Sequence, residues 1–181
     1  MARRIYNQTS LFGPLYAYLI VLSPPPEVKD AIAKIKKELN AIADIGERNV
    51  QSIAHITLFD KLTDDKNLKD TTQDLASGRH SFWIKTGKWN YYDHGHSVTV
   101  ILEIENPEPI LQLMEVLKSK NKSPHISLAK KISYETFEKL KPYLENMTYS
   151  AQWKCNEINV LRKLMSEKHL GFKESFKIKL E

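Results

Sequence analysis

Residues 15–22 (Leu-Tyr-Ala-Tyr-Leu-Ile-Val-Leu) form a continuous apolar, aromatic and β-branched run that ends at Ser23-Pro24-Pro25-Pro26. A short run of this kind, bounded by prolines, predicts a buried strand. Val28, Ala31, Ile32, Ile35, Leu39 and Ile42 then recur at helical spacing. Lysines and Glu38 fall largely on the other faces, so an amphipathic helix over 27–42 is expected, with Gly46 marking its end or the next turn. Ser52 to Phe59 alternates polar and apolar residues, which is the period of a strand with one buried face. A second helix is expected over 64–75, broken at Ser77-Gly78.

The pattern then starts again. Strands are expected over 82–89 and 97–103, joined through a turn at Asp93-His94-Gly95. A helix over 107–117 leads to a short strand at 125–128. A further helix over 133–144 carries Ser133 and Thr136 at its start, which suits an N-cap. Two strands, 157–163 and 172–180, close the chain, and residues 1–14 read as an irregular lead-in. Strand 15–22, helix 27–42 and strand 53–59 thus make one β-α-β unit. Strand 97–103, helix 107–118 and strand 125–128 make a second, and each unit is followed by a helix. The expected fold is α+β, built from two similar β-α-β units. Residues 1–181 are read as one domain of two interlocked lobes.

The last strand of each unit carries the same string, His55-Ile56-Thr57-Leu58 and His125-Ile126-Ser127-Leu128. In a strand, positions i and i+2 share a face. His55 and Thr57 therefore point one way, as do His125 and Ser127, while the aliphatic residues point into the core. If the units pack as a symmetric pair, two imidazoles and two hydroxyls converge on one cleft. Imidazole titrates near neutrality, so one histidine can take a proton while the other gives one. Two hydroxyls can hold the non-bridging oxygens of a phosphate. That set suits attack at phosphorus with a base on one side and an acid in line on the other.

The remaining composition narrows the choice. The net charge is +5, a mild bias toward anionic partners. Lys118, Lys120, Lys122, Lys130 and Lys131 surround the second histidine motif, a stretch without acidic residues that reads as a rim for phosphate or RNA. Tyr16 and Tyr18 share a face of the first strand and are candidates for stacking on a base. Phe12, Trp83, Trp89, Tyr91 and Tyr92 are weaker ones. Asp93, His94 and His96 offer only part of a metal shell and are read as a turn. His80 and His169 read as surface or structural residues, and no metal site and no cofactor is expected. With six glycines in the chain there is no Gly-rich phosphate loop, which argues against an ATP-dependent ligase or kinase. The single Cys155 excludes an internal disulfide and reads as a small buried residue. The run 15–22 is too short to span a bilayer, and no signal-peptide pattern follows Arg3-Arg4. A cytoplasmic monomer without an obligate protein partner is expected.

The two strings, each closing a β-α-β unit, resemble the two-histidine (2H) phosphoesterase superfamily, which includes the 2′-5′ RNA ligase-like proteins and cyclic nucleotide phosphodiesterases. The resemblance extends from about Leu15 to the C-terminal strands. It implies a bilobal, pseudo-two-fold α+β arrangement of the two β-α-β units, with antiparallel sheets flanking a central groove in which the motifs face each other, and metal-independent phosphodiester chemistry, often the opening of a 2′,3′-cyclic phosphate. His55 and His125 would be the acid–base pair, with Thr57 and Ser127 as phosphate holders. Many members carry arginine two residues after the second motif, and here that place is Lys130, a point charge in place of a planar fork. The expected substrate is a 2′,3′-cyclic phosphate at an RNA end or on a small cyclic nucleotide. The alternatives are a 2′-5′ linked or cyclic oligonucleotide signal, and, from another class, a non-catalytic RNA-end-binding module.

Overall fold

The structure, a computed structural model, describes residues 13–167 and 171–181. Strand β1 (Tyr16–Leu22) is followed by helix α1 (Pro26–Ile42), which starts at the third proline of the run, where a missing N–H and a fixed φ suit the first helical turn. A five-residue helix, α2 (Glu47–Gln51), comes next, entered through Gly46 at φ 86. Its polar sequence carries no apolar period, and the sequence pattern did not reveal it. Strand β2 (Ile56–Thr63) and helix α3 (Leu68–Ala76) complete the first run. Helix α3 starts four residues later than expected. The Asp65 carboxylate accepts from the Asn67 N–H at 2.7 Å and holds that stretch in a turn.

The second run is β3 (Phe82–Asp93), β4 (Val98–Ile104), α4 (Glu108–Val116), β5 (His125–Ile132) and α5 (Tyr134–Asn146). Strand β3 runs four residues past the expected end and turns only at Gly95, whose φ is 78. The expected cap of α5 is present: the Ser133 hydroxyl accepts from the Thr136 N–H at 3.1 Å. The chain closes with β6 (Gln152–Cys155), a strand the sequence did not signal, β7 (Glu157–Leu164) and β8 (Glu174–Lys179).

The eight strands among the described residues form one antiparallel sheet in the order β6-β3-β4-β5-β2-β1-β7-β8. Its two halves are related by pseudo-symmetry: β1, α1 and β2 match β4, α4 and β5, while β7 stands to β1 as β3 stands to β4. The halves are interlocked, because β7 and β8 return from the C-terminus to complete the first. One bridged pair, Ile56 with Ile126, joins them. The helices cover one face of the sheet. There Ile20, Leu22, Ile56, Leu58, Leu102, Ile126 and Leu128 pack with Ile32 and Leu39 of α1, Ile110 and Met114 of α4, and Leu140 of α5 into one core. The opposite face lines the groove. Cys155 is buried in this core, and burial raises its thiol to about 11. Among the described residues, no helix is long and apolar enough to cross a membrane.

Helix α1 buries one charge. Lys36 is 1% exposed, and its Nζ donates to the Ser52 carbonyl at 2.7 Å and to the Ser52 hydroxyl at 2.6 Å. Those bonds tie α1 to the segment that enters β2. Desolvation, with the Lys130 cation second, lowers Lys36 to about 8 from an ordinary 10.5. Between pH 8 and 10.5 the unfolded chain therefore holds a proton that the folded one lacks, and stability rises with pH. Relative to a Lys36→Met variant, the wild type should gain on the order of 2 kcal/mol of unfolding free energy across that window. Denaturant titrations at several pH values measure this, and a constant difference between the two proteins would contradict it.

Candidate active site

The Ile56–Ile126 bridge sets the site. One residue to either side, the antiparallel register puts His55 beside Ser127 and Thr57 beside His125. All four lie on the groove face, since Ile56 and Ile126 point into the core. The structure thus brings the two sequence strings together in an alternating square. The two histidines are also held in the same way. Nδ1 of His55 donates to the carbonyl of Ile53 at 2.8 Å, and Nδ1 of His125 to the carbonyl of Ser123 at 2.8 Å. A carbonyl can only accept, so both Nδ1 atoms carry hydrogen and both Nε2 atoms are left for chemistry.

The electrostatics of the two rings are also alike. His55 is lowered from the ordinary histidine value, first by desolvation, with the Ile53 hydrogen bond opposing and Lys130, Lys36 and His125 adding to the fall. His125 is lowered by desolvation and by Lys130, against the Ser123 hydrogen bond. Each imidazole is therefore biased toward its neutral form, and the same cations attract an anion into the groove.

Lys130 reaches this position because β5 is irregular. Strict alternation would send it to the core face with Ile126 and Leu128. The β4–β5 register instead slips twice, between Val100 and Ile101 and between Val98 and Val100, and Lys131 adopts φ 54. Leu128 and Ala129 are consecutive core residues, and Lys130 is exposed. Asn49 of α2 clamps the bend: its Oδ1 accepts from the Lys130 N–H at 2.8 Å, and its Nδ2 donates to the Lys130 carbonyl at 3.0 Å. Sequence reasoning missed Asn49, because a polar residue 81 positions away in a short helix gives no periodic signal.

Other residues on the groove face follow from the register. Tyr92 meets the His125 ring edge-on with centroids 5.4 Å apart, and its hydroxyl bonds that of Ser123, whose carbonyl holds His125. Glu103 pairs with His125 across β4 and β5 and accepts from Asn90 Nδ2 at 2.6 Å. Val21 pairs with both Thr57 and Asn159, which adds Asn159 to the same row.

Tyr16 and Tyr18, contrary to expectation, do not line the groove. They share a face with Ile20 and Leu22, which point into the helix-covered core, so stacking on a substrate base is replaced by packing. Tyr18 is 2% exposed and donates to the Lys66 carbonyl at 3.2 Å, while the Arg162 guanidinium lies 5.2 Å from the Tyr16 ring. Tyr91 likewise packs on Phe137 of α5. Lys118 and Lys120 line a cavity with Ile20, Phe59 and α3 on the core side, so the basic rim is smaller than the run of lysines suggested. Residues 94–96 form a turn as expected, with His94 Nε2 bonded to the Thr99 hydroxyl at 2.9 Å. Phe12 and His169 lie outside the described residues. Among the described residues, no three His, Cys, Asp or Glu side chains are grouped to hold a metal ion.

The sequence profile of the 2′-5′ RNA ligase superfamily matches residues 24–166, and the chain belongs to that family, within the two-histidine phosphoesterases. Solved structures share the fold. TT0787 of Thermus thermophilus aligns over 91% of this chain and 99% of its own, with a TM-score of 0.61 and 16% identity. LigT of E. coli, complexed with 3′-AMP, aligns over 92% and 95% with a TM-score of 0.56 and 13% identity. Usb1 of Kluyveromyces marxianus, with uridine monophosphate, aligns over 91% and 98% with a TM-score of 0.51 and 13% identity. No curated protein matches the chain in sequence.

Because a cation disfavours the imidazolium form, removing Lys130 should raise both histidines together. NMR titration of the ring protons should find His55 and His125 protonating below the ordinary value of 6.5 in the wild type, and both at higher pH in Lys130→Ala. A shift confined to one ring, or to neither, would remove Lys130 from the shared site.

Proposed function

We propose that this chain is a metal-independent phosphodiesterase that opens a 2′,3′-cyclic phosphate at an RNA end or on a small cyclic nucleotide. The observation that supports this most is the paired geometry: two His-x-hydroxyl strings meet on one face around a single bridged pair, and both rings are held through Nδ1. Family membership supports phosphodiester chemistry as the reaction class. The complexes of LigT with 3′-AMP and of Usb1 with uridine monophosphate support a nucleoside phosphate as ligand for this fold.

In this reading the phosphate lies on the pseudo-two-fold axis. Thr57 and Ser127 donate to its non-bridging oxygens, and Lys130 balances its charge. One histidine, neutral at Nε2, takes a proton from water as the water oxygen attacks phosphorus. The other, protonated at Nε2, gives its proton to the departing ribose oxygen. The P–O bond to the attacking water forms as that to the ribose oxygen breaks, which leaves a phosphomonoester and a free hydroxyl. The bias of both rings toward the neutral form leaves an Nε2 lone pair for the first role. The bound anion, by favouring the imidazolium, suits the second.

The test is turnover on a panel of uridine and adenosine 2′,3′-cyclic phosphates, RNA ending in a 2′,3′-cyclic phosphate, and 2′-5′ linked oligoadenylate. Cyclic phosphates should be opened to monoesters. Preferential cleavage of the 2′-5′ linkage would favour a signal-degrading enzyme instead, and binding without turnover would mark an RNA-end-binding module. His55→Ala and His125→Ala should each lower turnover by about 10²–10⁴-fold with a much smaller loss of binding. Near wild-type turnover in either variant would break the symmetric mechanism. Activity should also persist in excess EDTA, whereas full loss with rescue by one divalent cation would require a different mechanism.

A further inference from the structure

Beside His55 the groove opens into a cavity of about 500 Å³, walled by Val21, Pro24, Trp153, Asn159 and Leu161. Among the described residues, three buried side-chain polar atoms have no hydrogen-bond partner: Ser97 Oγ, Trp153 Nε1 and Asn159 Nδ2. Two of the three belong to this wall. Trp153 and Asn159 are each 6% exposed, and both unpaired atoms are donors. A buried donor left unpaired is costly, because it gives up its bonds to water and gains none in return. Two such donors on residues that wall one cavity beside His55 call for an explanation, and acceptors supplied by a ligand are one.

The pseudo-symmetry sharpens the assignment. Asn159 pairs with Val21, which pairs with Thr57, and Asn90 pairs with Ile101, which pairs with Ser127. The two asparagines are therefore equivalent positions in the two halves. Asn90 is satisfied by Glu103, which lies across from His125. The same register in the first half places Ser23 across from His55, where it stands in for Glu103. No carboxylate occupies that position, and Asn159 Nδ2 stays unpaired. The catalytic square is symmetric but its flanks are not, as suits a ligand that carries a base on only one side of its phosphate.

We propose that this cavity is a nucleobase subsite, in which the side-chain N–H groups of Asn159 and Trp153 donate to carbonyl oxygens or ring nitrogens of the base attached to the reacting nucleotide. The proposal rests on the phosphodiesterase reading above for the position of the phosphate. The apolar and proline walls around the two neutral donors fit an uncharged heterocycle. Lys29, Lys154 and Lys177, the last paired with the Glu157 carboxylate at 2.9 Å, also belong to the lining. A pyrimidine with two carbonyls offers one acceptor to each donor.

The experiment uses the full chain and two substrates, uridine 2′,3′-cyclic phosphate and the corresponding methyl riboside 2,3-cyclic phosphate, which lacks a base. Wild type should prefer the uridine compound in kcat/KM. Asn159→Leu and Trp153→Phe should each lower that value about 10-fold or more, while the base-free compound falls much less. Equal losses on both compounds, or no loss on uridine, would overturn the subsite. Calorimetry with uridine 3′-monophosphate and ribose 3-phosphate gives a readout independent of turnover. Tighter binding of the uridine compound, lost in Asn159→Leu, would support the subsite even if no cyclic phosphate were opened, in which case the phosphodiesterase reading alone would fail. Equal binding of the two compounds would overturn the subsite whatever the turnover.

Discussion

A single backbone bridge between Ile56 and Ile126 governs the molecule's working face. Sheet register has a period of two, so fixing one pair across β2 and β5 fixes the side on which every neighbour lies. A slip of one residue in either strand would turn its histidine and hydroxyl toward the helices and its isoleucine and leucine toward water. The penalty is large because Ile56, Leu58, Ile126 and Leu128 are all fully buried in the core. Hydrophobic burial on one face thus holds a polar constellation on the other. The narrowness of the junction matters too. With one bridged pair, β2 and β5 can diverge on either side of it, which leaves room for a groove between the halves.

Electrostatics then give that geometry its character. Lys36 is buried against Ser52, just ahead of the segment that carries His55, and Lys130 is carried off the core face by two register slips and the grip of Asn49. Both cations act on His55, and Lys130 acts on His125 as well. The groove is therefore electropositive, with both imidazoles biased toward the neutral form, and in the proposed function a bound phosphate would restore proton affinity to the rings. Burying Lys36 costs stability near neutral pH, a cost offset by its two hydrogen bonds and by the fixed entry into β2.

The strings His55-Ile-Thr-Leu and His125-Ile-Ser-Leu were legible because strand parity is written into local sequence, and so were the amphipathic helices α1 and α5. The features that complete the site are non-local. Asn49 lies in a five-residue polar helix with no apolar period. Asn159 belongs to a strand that joins the first half from the far end of the chain. Tyr92 and Glu103 gain their position only from cross-strand register. Tyr16 and Tyr18 show the opposite error. Their shared face was read correctly from spacing, but nothing local says which face of β1 the helices cover. The bulges that free Lys130 from its expected parity depend on a clamp 81 residues away.

The proposed chemistry requires one phosphate to sit between two equivalent imidazoles. The most direct measurement is a ¹⁵N-resolved NMR titration of the histidine side chains with uridine 3′-monophosphate. Both His55 and His125 should begin as Nδ1–H tautomers, and the Nε2 resonances of both should move along one saturation curve with a single Kd. Perturbation of only one ring, or two rings following different curves, would contradict a shared site.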